Sequence, residues 1–213
     1  MLRRIALLTL HVVWIGAGLL STGTAVTASS YYVYSEFGGR YYDAEKNPFN
    51  LQDDSMCWAA AASNILAWTG WGNAATRGFS NEDQMFAHFQ DHWTDNGGNA
   101  LYAWEWWFSG VHSSPAGFGF AVVDVPGGGG FWPNQNLSGY YRSEGDPALA
   151  MSAVSTFLHA GLGVALTLWD GYRSAHQITA WGYEYDPSGY LGVYVTDSDD
   201  DMNAANPGDV LRY

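Results

Sequence analysis

The sequence predicts an α+β chain, with helices in its first half and an antiparallel sheet in its last third. Two patterns carry that reading. Between about residues 53 and 161 apolar residues recur at three- and four-residue spacings. From Val164 onward they alternate or run together, rich in Val, Ile, Thr and aromatics. No linker separates the two parts, so residues 29–213 read as one domain.

The N-terminus is set aside first. Arg3 and Arg4 precede an apolar run, Ile5 to Leu20, and small residues follow as far as Ala25-Val26-Thr27-Ala28. A basic start, an apolar stretch and small residues before a cut describe a secretory signal peptide over residues 1–28. The competing reading, a membrane anchor, wants about 20 apolar residues, and this run is interrupted by His11 and two glycines. Secretion is therefore expected, with no membrane attachment after cleavage.

Three helices are expected next. Asp53-Asp54-Ser55 offers N-caps for a helix to about Thr69, closed by Gly70, with Trp58, Ala61, Ala62, Ile65 and Leu66 on one face. Ser80 and Asp83 resemble a capping box for a helix from Asn81 to about His92, with Met85, Phe86 and Phe89 inward. Asp146 and Pro147 open a third, which Gly161 closes. Strands follow over Val164 to Trp169, Gln177 to Tyr185 and Leu191 to Thr196. Asp186-Pro187-Ser188-Gly189 makes the turn between the last two.

Composition narrows the function. Eight basic residues stand against 21 acidic ones, for a net charge of −13, and the leader removes two arginines and no acids. Nucleic acid and anionic lipid both require positive charge, so neither is an expected partner. Cys57 is the single cysteine, so no internal disulfide can form, and a lone thiol in a secreted chain suggests intermolecular pairing or a reactive thiol, against the alternative of an inert buried cysteine.

The neighbours of Cys57 favour the reactive thiol. With Ser55 as N-cap, Cys57 falls at the second helical position, where the helix dipole favours a thiolate. Five histidines follow the leader. His88 and His92 lie four apart on one predicted helix, but no further metal ligand accompanies them. His176 begins a strand, in Ala175-His176-Gln177-Ile178-Thr179-Ala180-Trp181-Gly182, and a base presented from a strand edge suits Cys–His catalysis. Asp197 and Asp199 end the next strand, and the hairpin returns either of them towards His176 to orient the ring. The acidic run Asp197 to Asp201 also reads as a calcium loop, though it lacks the glycine and glutamate of an EF-hand. Two candidates stand as donors to an oxyanion beside the Cys57 N–H: Lys46, the chain's only lysine, and Gln52.

These segments together resemble the immunoglobulin-degrading cysteine proteases of the IdeS/Mac type. Asp53 to Trp68 resembles that family's nucleophile segment. His176 to Gly182 and Tyr194-Val195-Thr196-Asp197-Ser198-Asp199 resemble its His and Asp segments in the same order. Lys46 with Phe49-Asn50 resembles its oxyanion-hole segment with one residue inserted. The resemblance implies a papain-like fold, no cofactor, and endopeptidase activity on a protein substrate, immunoglobulin G among the candidates. It implies Cys57 as nucleophile, His176 as base, Asp197 as orienter, Asp199 as supporting acid and Lys46 as oxyanion donor. Trp58 stands where the antibody-cleaving members carry glycine; Cys-Trp is the general papain-like pairing. A transferase or deamidase would use the same three residues, and a binding module would need none of them. The aromatic clusters Trp104, Trp106, Trp107, Phe108 and Phe131-Trp132-Pro133 are candidate cleft linings for extended chains.

Overall fold

The computed structural model describes residues 4–11, 27–47, 49, 52–73, 78–117, 119–169, 175–199 and 209–213, the first of these segments by its backbone. In chain order they form β1 (Arg4–His11), β2 (Ser29–Tyr32), α1 (Val33–Phe37), α2 (Cys57–Thr69), α3 (Glu82–Gln90), α4 (Ala100–Ser109), β3 (Tyr141–Glu144), α5 (Ala150–His159), β4 (Leu162–Trp169), β5 (Ala175–Asp186) and β6 (Gly189–Thr196).

β5 organises the sheet. Its first half pairs antiparallel with β4, from Trp169 opposite Ala175 to Val164 opposite Ala180. Its second half continues along the same edge with β2, and β6 covers the other edge. The turn from β5 to β6 falls where the sequence predicts it. Asp186 Oδ1 accepts the Ser188 N–H at 2.7 Å, an Asx turn that reverses the chain. β1 pairs in parallel with β4 on one side and β3 on the other. The antiparallel strands and the helices together make the α+β class expected from the period change. The leader expected over residues 1–28 includes β1, while residues 12–26 lie outside the described residues.

Helices pack on the sheet where β4 and the middle of β5 are buried along their length. α2 lies so close to β4 that a Cβ on Gly163 would come within 2.8 Å of Ile65, which is why glycine occupies that strand position. α5 packs Val154 and Leu158 with Val164, Leu166, Ile178 and Ala180. A second cluster gathers α2, α3 and α4 around Trp58, Trp71, Phe89, Trp104, Trp106 and Trp107, all at most 2 % exposed.

Three helix expectations need adjustment. α2 ends at Thr69 with Gly70 left-handed, as expected, but its N-cap is Met56 and no side chain caps it. Ser55 instead donates its N–H to Asp95 Oδ1 at 2.7 Å, and the buried Asp53 carboxylate holds Asn47 N and Gln90 Nε2. Cys57 is therefore the first residue of the helix, not the second. α3 is capped by Asn81, whose side chain accepts the Gln84 N–H, while Gln84 reaches back to Ser80 N; the capping box is shifted one residue from the Ser80–Asp83 pair. Asp146 caps a short 3₁₀ turn, Pro147–Leu149, that leads into α5.

The aromatic clusters form core, not a cleft lining. Trp104, Trp106, Trp107 and Phe108 lie on α4, capped by Asn99, and are at most 1 % exposed. Trp132 donates its Nε1–H to Trp71 O at 2.9 Å and meets the Trp71 ring edge-on. Helical spacing buries such residues on both sides of α4 because helix and loop flank it.

Candidate active site

α2 delivers the thiol. Cys57 is buried and unbridged, at a helix start whose first N–H groups have no acceptor one turn earlier. Met56 N donates to Asp53 O at 3.0 Å, a tight turn that brings the chain into the helix without a capping side chain in front of it. Behind it, Trp58 Nε1 donates to Asn96 O at 3.0 Å, and its ring lies under Gly98. A Cβ on Gly98 would come within 2.4 Å of that ring, so only glycine lets the 97–99 segment close over it.

β5 delivers the imidazole. His176 sits one residue into the strand, and its Nε2 lies 2.6 Å from Asp197 Oδ1. Thr179 pairs with Thr196, so the residue after β6 returns alongside the start of β5. Of the two aspartates that the hairpin reading left open, Asp197 is the one within hydrogen-bonding distance of the ring. Asp197 Oδ1 also accepts the Asp199 N–H at 3.0 Å, which steadies the carboxylate.

Electrostatics follow from these contacts. Burial of the ring works against a charge on His176, but hydrogen bonds to Asp197 and to the Cys57 thiol, with the charges on both, push its pKa up to about 10. For Asp197, burial raises the pKa, and the His176 contacts, the Asp199 N–H and Lys46 outweigh it, leaving the carboxyl below its usual range. The Gln177 N–H, next along β5, points at Cys57 Sγ at 3.5 Å.

Asp199 stands at the far side of the ring, its Oδ2 3.8 Å from His176 Nδ1, and its other oxygen pairs with the Lys46 ammonium. Lys46 is 4 % exposed; it also donates to Asp54 O at 2.8 Å, and its backbone N–H donates to Ser198 O at 3.2 Å. Gln52 is exposed and does not line the cleft.

These residues open into a cleft of about 810 Å³, lined by Lys46, Asp54, Cys57, Gly98, Tyr102 and His176 among others. The sequence reading missed its walls: Tyr102 from α4, Phe120, Thr167 and Trp169. Unlike the catalytic candidates, they carry no local signal, because they come from three separate segments: α4, the loop at Phe120, and β4. Gln177 was also missed. Its side chain accepts the Ala100 N–H at 2.9 Å and donates to Thr167 Oγ1 at 2.6 Å, tying α4 and β4 to the strand that bears His176.

Other candidates are used elsewhere. His88 Nε2 meets Gly128 O at 2.7 Å, and His92 Nδ1 meets His88 O at 2.9 Å. Among the described residues, His176, Asp197 and Asp199 form the one group of three potential metal ligands. Those three are engaged with one another, with Cys57 and with Lys46. Asp200 and Asp201 of the suggested calcium loop lie outside the described residues. No helix among the described residues is long and apolar enough to cross a membrane. No protein-family model matches the chain, and neither does any curated protein sequence.

Proposed function

We propose that the chain is a secreted cysteine endopeptidase of papain-like fold, similar to the IdeS/Mac immunoglobulin-degrading enzymes. The observation that carries this reading is the His176 ring. It is held by Asp197 at 2.6 Å and lines the same cleft as Cys57, and against its burial Asp197 and the Cys57 thiol together raise the ring's pKa. A packing cysteine has no use for a charged ring from another element, whereas a nucleophile needs that proton acceptor.

The chemistry follows from the contacts. Asp197 occupies Nε2 and leaves Nδ1 to serve the thiol. With the thiol proton on His176, Cys57 Sγ attacks the carbonyl carbon of the scissile amide. The oxyanion is met by the Cys57 N–H and by Lys46, whose ammonium keeps one N–H beyond those directed at Asp54 O and Asp199. His176 then protonates the leaving nitrogen as the C–N bond breaks, and a thioester remains. Neutral His176 next takes a proton from water, whose oxygen attacks the thioester carbon. Collapse frees the acid and returns Cys57 as thiolate beside a protonated ring.

Secretion rests on the leader pattern. A cut after Ala28 starts the mature chain at Ser29, the first residue of β2; it keeps the β2–β5, β4–β5 and β5–β6 ladders and removes β1 with its pairings to β4 and β3.

The test is intact-mass spectrometry of immunoglobulin G and a panel of secreted proteins after incubation with the secreted chain, with Cys57→Ala in parallel. Discrete fragments formed by the wild type alone support the reading. A mass gain on an added amine, without fragments, would move it to acyl transfer. No product, together with Cys57 alkylating no faster than a free thiol at about pH 5.5, would overturn it.

A further inference from the structure

Two turns along α2 from Cys57, Asn64 is 2 % exposed and joins three separate pieces of the site. Its Oδ1 accepts the Ala44 N–H at 2.7 Å. Its Nδ2 donates to Thr179 Oγ1 at 3.2 Å and to Thr196 Oγ1 at 3.5 Å. The two threonines are direct cross-strand partners on β5 and β6. Each contact lies close in sequence to a site residue: Ala44 precedes Lys46, Thr179 follows His176, and Thr196 adjoins Asp197.

The polarity of every bond is defined. Thr196 gives its one proton to Tyr42 O at 2.9 Å and accepts from Trp181 Nε1 at 2.9 Å, so towards Asn64 it is an acceptor. The Ala44 N–H can only donate. One orientation of the amide meets both demands, and neither aspartate nor leucine reproduces it. Apolar packing holds α2 against the sheet but fixes its offset loosely. Hydrogen bonds with angular requirements fix it closely.

We propose that Asn64 is a positioning residue, setting the distances among the Cys57 thiol, the His176 ring, the Asp197–Asp199 turn and Lys46; this rests on the endopeptidase reading above. The charged groups around the thiol are His176, Asp199, Asp54 and Lys46, with Asp197 behind the ring, and none of them bonds to Asn64, whose partners are two hydroxyls and a backbone amide. A displacement of about 1 Å at such a site can cost 100-fold in rate.

Full-length Asn64→Ala, Thr179→Val and Thr179→Ser decide the matter, measured by kcat and KM per titrated active site, by Tm, and by the pH profile of Cys57 alkylation with iodoacetamide. Asn64→Ala should lower kcat about 100-fold with KM little changed, and should lose the alkylation that persists in acid. Thr179→Val, which removes only the bond to β5, should lose about tenfold, and Thr179→Ser should recover most of it. If Asn64→Ala does not fold, the Thr179 pair gives the answer alone. Folded variants that lower Tm but keep the wild-type kcat and alkylation profile would overturn the proposal. A wild type without fast alkylation in acid would instead bring down the endopeptidase reading, and this proposal with it.

Discussion

Around α3 and α4 the protein packs ring on ring, while along the seam between α2 and β5 it places polar groups that each have a named partner. In the first region Trp58 meets Trp93 at 5.1 Å, Trp71 meets Trp132 at 5.1 Å and Trp107 meets Phe131 at 4.6 Å, at angles from 57° to 88°. In the second, Asn64, Thr179, Thr196 and Gln177 are buried and bonded across elements, and His176 and Asp197 pair at their end. Aromatic packing is large in area and tolerant in direction, so it supplies stability. Hydrogen bonds between buried partners contribute modestly to stability but fix relative position. The lesson is a division of labour: one half makes the fold stable, and the seam makes it specific.

That division can be broken from either side. The largest effect is expected from Cys57→Ala or His176→Ala, each of which should lower the rate of peptide cleavage about a millionfold, with the chain still folded by circular dichroism. Asp197→Asn should cost about 10⁴-fold, because the amide favours the wrong ring tautomer; kcat with an unchanged circular dichroism spectrum checks it. Trp107→Ala should behave oppositely. It should destabilise by about 3–5 kcal/mol in urea unfolding, with kcat of the folded fraction unchanged.

Lys46→Met sharpens the comparison, since Lys46 is a buried charge held by polar partners, its ammonium by Asp54 O and Asp199 and its backbone N–H by Ser198 O. Loss of an oxyanion donor should lower kcat by about 10²–10³, whereas Gln52→Ala should leave kcat and KM alone. Equal effects from the two variants would remove Lys46 from the mechanism.

The smallest effect is on stability against pH. His176 has its folded pKa raised to about 10, so its contribution is whole below the ordinary histidine value of about 6.5 and is lost as pH rises through 10. Asp197 has its pKa lowered, so its contribution is present above the ordinary value of about 3.9 and is lost as pH falls below it. The Tm difference between wild type and His176→Gln should therefore be widest between about pH 4 and 6.5 and should vanish above about pH 10. A difference that is flat across this range would mean the pair does not carry charge.

Much of this was legible in the chain because its signals are local. The period change at Val164, the left-handed Gly70 after α2 and the Asp186–Gly189 turn depend on a few neighbouring residues, and each stands where it was expected. That the end of β6 returns beside His176 was also legible, but the hairpin left Asp197 and Asp199 both open, and the structure puts Asp197 on the ring's Nε2. α4 was missed. Its run of Trp and Phe is a poor helix former taken alone, and it is helical because Asn99 caps it and the surrounding aromatic cluster buries it.

What the chain alone determined, then, was the α+β class, and it singled out Cys57, His176 and two neighbouring aspartates as candidates for Cys–His–Asp chemistry. Tertiary structure alone decided how they meet. Met56, not Ser55, precedes the helix because Asp53 and Ser55 are bound by Gln90 and Asp95 from distant segments. Lys46 reaches Asp199, and Tyr102, Phe120 and Trp169 share a cleft, through contacts between segments far apart in sequence. Local patterns are set by backbone propensity and period. Contacts such as these arise only when the packed core brings remote segments within hydrogen-bonding distance.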